Sequence, residues 1–232
     1  MILNRRPVWL ALCVALATIA CSDRVITLSY TPPPPSAATE FTKLTVFRFA
    51  DQRGNEGDHG DPLRVGGIYG GYGNRLAKVM VAQPWPPRLV SALVAEFRAQ
   101  GVDASGIDQL PTTTPATRAW LEGDLRNFST ESRWGRRAHI SAFVRLRAPS
   151  GETLVQKDIK ADASGYGLGN FDAGILQDLL NEAFVRFVRN VATDPDIRAG
   201  LQRVRSSDEL PSPSSLGGHP KPASRGRLKA GQ

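Results

Sequence analysis

Thiols are nearly absent from this chain of 232 residues: its two cysteines, Cys13 and Cys21, both fall within the first 21 positions. No disulfide can form further along, so whatever folds there must rest on a packed core. Histidine is also scarce. His59, His139 and His219 lie far apart with no Cys or carboxylate at ligand spacing, a pattern that argues against a metal site. The sequence has no nucleophile-elbow serine motif, and no thiol remains for a cysteine enzyme. Carboxylates can meet in space from anywhere, so a paired-carboxylate hydrolase is the one enzyme class that composition leaves open. No cofactor-binding pattern is present.

One stretch is uniformly apolar. Val8 to Ala20 carries no charge and follows Arg5 and Arg6. Its thirteen residues are too few to cross a hydrocarbon core of about 30 Å as a helix, which favours a cleaved export signal over a permanent span. Thr18, Ile19, Ala20 and Cys21 resemble the lipobox of bacterial lipoprotein precursors, with Thr18 where that motif usually has Leu. The resemblance implies cleavage before Cys21 and acylation of that cysteine. Ser22, in place of Asp, resembles the rule for transfer to the outer membrane. The expected location is therefore the periplasmic face of the outer membrane, with the inner membrane as the alternative.

The formal net charge of +7 and a pI near 9.8 look like a nucleic-acid signature until the charges are placed along the chain. Residues 1–20 hold two arginines and no acid, and residues 193–232 hold seven basic side chains against four acidic ones. Between them stand 20 basic and 18 acidic side chains, so the part that folds is nearly neutral. Nucleic-acid binding needs basic residues gathered on one face, and that condition is not met.

Four regions follow: a signal over 1–20, a Pro-rich tether over 21–39 after the lipidated cysteine, a domain over 40–192, and a mostly disordered basic tail over 193–232. Pro32 to Pro35 favour an extended polyproline tether. Phe41 to Ala50 reads as a strand with apolar groups on both faces. Trp85, Leu89, Leu93 and Phe97 recur at helical spacing after Pro86 and Pro87, and Gly101 suits the position after the helix end. Val102–Ile107, Arg118–Phe128, Ala138–Ala148 and Glu152–Ala161 read as strands, the third alternating strictly from Ala138 to Leu146. Pro149-Ser150-Gly151 supplies a hairpin turn. Ala173 to Val191 is an amphipathic helix with Asp172 placed to cap it, stopped by Thr193-Asp194-Pro195. The expected fold is a single α+β domain, a mostly antiparallel sheet with two amphipathic helices on one face, in the order β-α-β-β-β-α.

Gly54 to Gly73 reads as a long glycine-rich surface loop. An EF-hand would need an oxygen ligand where Arg53 stands and glycine where Glu56 stands; a dinucleotide loop would need glycine at Leu76. The loop carries Ile68, Tyr69 and Tyr72, and loops of that length in compact domains are usually functional or disordered. Those three residues, with Arg145 and Arg147 on the polar side of the Ala138 strand, are the candidate partner-binding residues. A cleft lined by Asp51, Asp58 or His59 would instead favour an enzyme. Arg133, Arg136 and Arg137, with Trp134 among them, form a basic turn suited to solvent or to an acidic partner.

The runs LTVFRFADQRG (44–54), YGNRLAKV (72–79) and LEGDLRNF (121–128), with the two helices and the 138–146 strand, resemble the YajG-type family of bacterial envelope lipoproteins. That resemblance implies a lipoprotein with no assigned chemistry and no catalytic residues, distantly similar to the α+β domains of auxiliary lipoproteins of ABC transport systems. The expected function is a non-enzymatic, membrane-anchored envelope lipoprotein binding an envelope protein complex, lipid or glycan. The alternatives are an ABC-transport auxiliary lipoprotein and an unrecognised periplasmic hydrolase. Expected partners are the membrane, through the lipid on Cys21, and an envelope protein; neither nucleic acid nor metal is expected.

Overall fold

Strand β7 (Ala119–Ser132) is the spine around which the molecule is arranged. The computed structural model describes residues 23–35, 40–54, 61–69, 72–111, 117–132, 135–165 and 173–208. Before β7 come β1 (Arg24–Ile26), β2 (Glu40–Phe47), β3 (Ala50–Asp51), β4 (Arg64–Tyr69), β5 (Arg75–Val81), helix α1 (Trp85–Ala99) and β6 (Val102–Ile107). After it come β8 (Arg136–Arg147), β9 (Thr153–Gly165), α2 (Ala173–Thr193) and α3 (Pro195–Asp208).

β8 runs antiparallel along one edge of β7, and β9 antiparallel along β8. Three short strands share the other edge, all parallel to β7: β2 beside its start, β3 beside Asp124 and Leu125, and β4 beside Thr130 to Ser132. From there the sheet divides. β2 continues to β6 in parallel, whereas β4 continues to β5 antiparallel and then to β1 in parallel. The single α+β domain with a mostly antiparallel sheet is as expected, its two longest pairings, β7 with β8 and β8 with β9, being antiparallel; the sheet is nevertheless mixed, because the shorter strands add parallel pairs. Parallel neighbours are joined by long connections that leave no turn signature, so their pairing cannot be read from local pattern.

Helix positions follow the apolar stripes. Trp85, Leu89, Leu93 and Phe97 are at most 2% exposed, as are Leu176, Leu180, Phe184, Phe187, Val188 and Val191. Pro86 and Pro87 occupy the first turn of α1, where no internal acceptor for their missing N–H groups is needed, and Gly101, at φ 85°, lies just past its end. Asp172, expected to cap α2, lies outside the described residues. On β8 the alternation holds: Ala138, Ile140, Ala142, Val144 and Leu146 are all buried against the helices. β7 keeps step with it through a bulge at Arg126, after which Phe128 and Thr130 continue the inward row begun by Leu121 and Leu125. Trp85 meets Phe128 edge-on at 5.9 Å, and Phe128 stacks on Phe184 at 6.3 Å.

Three parts of the sequence reading need correction. Of the expected loop 54–73, residues 64–69 are β4, held between β5 and β7. Gly66 is there because backbones come close: at its φ of 144° a Cβ would stand 2.1 Å from the Thr130 carbonyl oxygen. The expected disordered tail begins with a third helix. Asp194 ends α2 and caps α3, its Oδ1 accepting from the backbone N–H of Asp196 at 3.0 Å and of Ile197 at 3.2 Å, and Ile197, Leu201 and Val204 are buried. The first part of the expected tether, residues 23–30, is bound to the domain.

Candidate functional site

β1 begins three residues after Cys21, and the chain then crosses the helical face as an extended strap. Ile26 and Leu28 are buried, and Tyr30 packs against the core. Its backbone is satisfied by one edge of α2: Thr27 N–H donates to Gln177 Oε1 at 3.3 Å, Ser29 N–H donates to Asn181 Oδ1 at 3.0 Å, and Asn181 Nδ2 donates to the Thr27 carbonyl at 3.2 Å. The match is geometric. Positions i and i+4 of a helix are about 6 Å apart along its axis, close to the roughly 6.6 Å between alternate residues of an extended chain. On the α1 side the Tyr30 hydroxyl donates to Glu96, a carboxylate only 3% exposed that also accepts from Gln100 Nε2 at 3.1 Å. Burial, then the hydrogen bond and negative charge of Glu96, push the Tyr30 phenol above the ordinary tyrosine range.

The sheet face turned away from the helices carries a set of cross-strand ion pairs. Arg145 Nε donates to Glu122 Oε1 at 3.1 Å and Arg145 Nη1 to Asp124 Oδ2 at 2.9 Å, while Arg147 Nε donates to Glu122 Oε1 at 2.8 Å. The Arg145 and Arg126 guanidiniums lie over the Phe143 ring at 5.3 and 5.0 Å, and Arg126 pairs with Asp158 at 2.6 Å. On this face, expected to be wet or basic, Arg126, Arg145 and Arg147 are matched by carboxylates on β7 and β9. Burial opposes the charge on Arg145, but Asp124 and Glu122 outweigh it and raise its pKa.

Asp51, considered as a cleft residue, is engaged by its neighbour. Arg53, 3% exposed, holds both Asp51 carboxylate oxygens at 2.8 Å, donates to the carbonyls of Asp61 and Arg64, and lies 5.3 Å from the Trp85 ring centroid. This clamp ties β3 to the entry of β4. Asp58 and His59 lie outside the described residues. His139 Nδ1 is 2.6 Å from Asp162 Oδ1 on the open face. Among the described residues no group of three or more His, Cys, Asp and Glu gathers as metal ligands.

The cavities are shallow and line the strap and α1. One of about 150 Å³ lies among Leu28, Tyr30, Arg88, Ala92 and Phe184; another of about 370 Å³ runs between Val90, Val94, Arg98, Gly106 and Asp108. Neither brings a nucleophile to a base. No described helix is long and apolar enough to cross a membrane.

The candidate residues do not converge. Ile68 is 2% exposed and belongs to the core, so it cannot be a surface contact. Tyr69 is half-buried at the end of β4, and Tyr72 stands fully exposed in the turn before β5. Arg145 and Arg147 lie near the other end of β8, on the order of 30 Å away at 3.3 Å per residue. Cys21 lies outside the described residues. The polar groups that sequence reasoning missed are Glu96, Gln177 and Asn181, which receive the strap, and Glu122 and Asp124, which neutralise the open face. The spacing of Gln177 and Asn181 by four on the polar edge of α2 was the available signal.

No family model matches the chain, and no curated protein does. Among solved structures it is similar to protein XCC0632 from Xanthomonas campestris, family-model DUF330, with a TM-score of 0.55 at 13% identity over 79% of this chain and 99% of that one. Lipoprotein GNA1162 from Neisseria meningitidis matches at TM-score 0.35 and 13% identity, covering 64% of this chain and 99% of that one. The PelC dodecamer from Paraburkholderia phytofirmans matches at 0.34 and 12%, covering 67% and 93%. At those scores the last two add nothing to the assignment, and what the chain shares with XCC0632 is the fold.

Proposed function

We propose that this chain is a non-enzymatic lipoprotein of the bacterial envelope, anchored through an acylated Cys21 on the periplasmic face of the outer membrane and binding an envelope component through its surface. The observation that carries the reading is the lipobox-like cysteine at the end of a charge-free run of thirteen residues. Two further observations support it. The described residues form a core without disulfides, and the two cavities beside α1 are open clefts in which no nucleophile stands beside a base. An auxiliary component of a transport complex falls within this reading, since such a role requires an anchored domain and a binding surface and no chemistry of its own.

The anchor is tested by Cys21→Ala. The variant is expected to accumulate as uncleaved precursor or to leave the membrane fraction, and to lose incorporation of labelled palmitate. Unchanged membrane association together with unchanged labelling would refute the reading. Cross-linking of the mature protein in its own envelope then identifies the component bound.

A further inference from the structure

Resting on the anchored reading above, we infer that the end of the sheet where β5 starts, beside Tyr72, docks directly on an anionic phospholipid surface. The first observation is the length of chain between lipid and fold. Three residue steps separate Cys21 from Arg24, where β1 is already paired with Val79 of β5. A fully extended chain covers at most about 3.6 Å per residue, so the fold begins within roughly 11 Å of the acylated residue. Pro32 to Pro35 come after β1 and cannot serve as a spacer between lipid and domain.

The second observation is direction. β1 and β5 are parallel and Arg24 is level with Val79, so the chain before β1 heads from there toward the end where β5 starts; the Asp23 carboxylate, one residue nearer that end, accepts from the Lys78 backbone N–H at 3.2 Å. β4 and β7 are also parallel, which puts the β4–β5 turn and the beginning of β8 at this same end. The anchor therefore selects one end of the sheet, and the Pro149–Gly151 turn marks the opposite one. The two are about 40 Å apart, the length of the twelve residues of β8.

The third observation is what this end exposes. Tyr72, 101% exposed, is one of the few large apolar side chains left in solvent among the described residues. Arg75 and Lys78 are exposed in the first residues of β5 that follow it and Arg137 at the beginning of β8, against the carboxylates of Asp23 and Glu131. Tyrosine flanked by Arg and Lys is a composition that settles at the boundary between headgroups and acyl chains. A chain attached within a few residues of this patch meets the bilayer at high effective concentration, so weak contacts suffice to fix orientation.

The test uses the acylated full chain in vesicles of phosphatidylcholine with and without phosphatidylglycerol. A single reporter cysteine, Tyr72→Cys or Ser150→Cys, carries an environment-sensitive fluorophore, and lipid-borne quenchers read its contact with the bilayer. Quenching at position 72 but not at 150, stronger on phosphatidylglycerol, is the expected result. Arg75→Gln with Lys78→Gln should lower the docked-to-undocked ratio about 25-fold, at about fivefold per cation. Equal quenching at the two positions in a chain whose mass shows the acyl group overturns this inference alone. Protection at position 72 that follows protein density and not lipid would assign the end to a second copy and also overturn it. A mature chain without the acyl group overturns both this inference and the anchored reading.

Discussion

Gly66→Ala separates the strand from the loop that the glycine-rich stretch suggests. In the structure the added Cβ would stand 2.1 Å from the Thr130 carbonyl oxygen and 2.8 Å from its nitrogen, both backbone atoms of the spine strand, on a residue at φ 144°. Side-chain repacking cannot relieve that contact. A φ of this kind costs about 1–3 kcal/mol for a residue with a side chain, and pushing β4 away from β7 removes ladder hydrogen bonds worth about 1 kcal/mol each. The expected loss is on the order of 3–5 kcal/mol, against a stability that for most domains is about 5–15 kcal/mol. Gly151→Ala is the matched control, since Gly151 also has a positive φ, 92°, but nothing lies within 4 Å of its Cβ position; only the conformational cost of about 1–2 kcal/mol should appear. Gly135→Ala, in open space, should be close to neutral. Urea unfolding followed by circular dichroism, read as midpoints at constant slope, measures all three. If Gly66→Ala falls within about 1 kcal/mol of Gly151→Ala, β4 does not lie against β7 and the stretch is a surface loop after all.

Leu180→Ala and Phe184→Ala should each cost about 2–5 kcal/mol, because both side chains are almost wholly buried under the helical face; melts that match the parent would place the wrong face of α2 inward. Truncation after Asp208 should leave the midpoint within about 0.5 kcal/mol. Truncation after Asp194 removes Ile197, Leu201 and Val204, each worth about 1.5–3 kcal/mol of burial, and should lower it severely; equal midpoints would show that α3 does not pack. The raised phenol of Tyr30 makes the strap alkali-sensitive. Above the ordinary tyrosine value of about 10, the unfolded chain loses a proton that the folded chain keeps, so stability falls as pH rises. Tyr30→Phe should flatten that fall between pH about 9 and about 11, and an unchanged slope would mean the strap is not held by this group.

How much of this was legible depended on the range of the interactions. The α1 and α2 stripes and the Ala138–Leu146 alternation are local periodicities, and each element formed where its period ran. The parallel pairings of β2, β3 and β4 with β7 join residues tens of positions apart, and nothing in a single strand announces its partner. β4 was hidden because Gly66 and Gly67 read as loop punctuation, whereas Gly66 serves a close backbone contact with Thr130 and Gly67 lies against the side chains of Tyr69 and Arg75. Ile26, Leu28 and Tyr30 do alternate with polar residues, but the prolines that follow drew the whole stretch into a tether reading. Pro195 was read as the end of a helix when, one residue after a capping Asp194, it starts another. Of the candidate site, Tyr72 and its surroundings survive as surface. Ile68 does not, since strand parity turned it inward, and Arg145 and Arg147 are matched by Glu122 and Asp124 across β7, a register that only the pairing reveals.

The measurement that bears most directly on the anchored reading is the intact mass and N-terminal sequence of the mature protein purified from membranes. The account predicts a chain that starts at residue 21 and carries a diacylglyceryl group on that cysteine. A mature chain that begins elsewhere, or that begins at Cys21 with a free thiol, would contradict it.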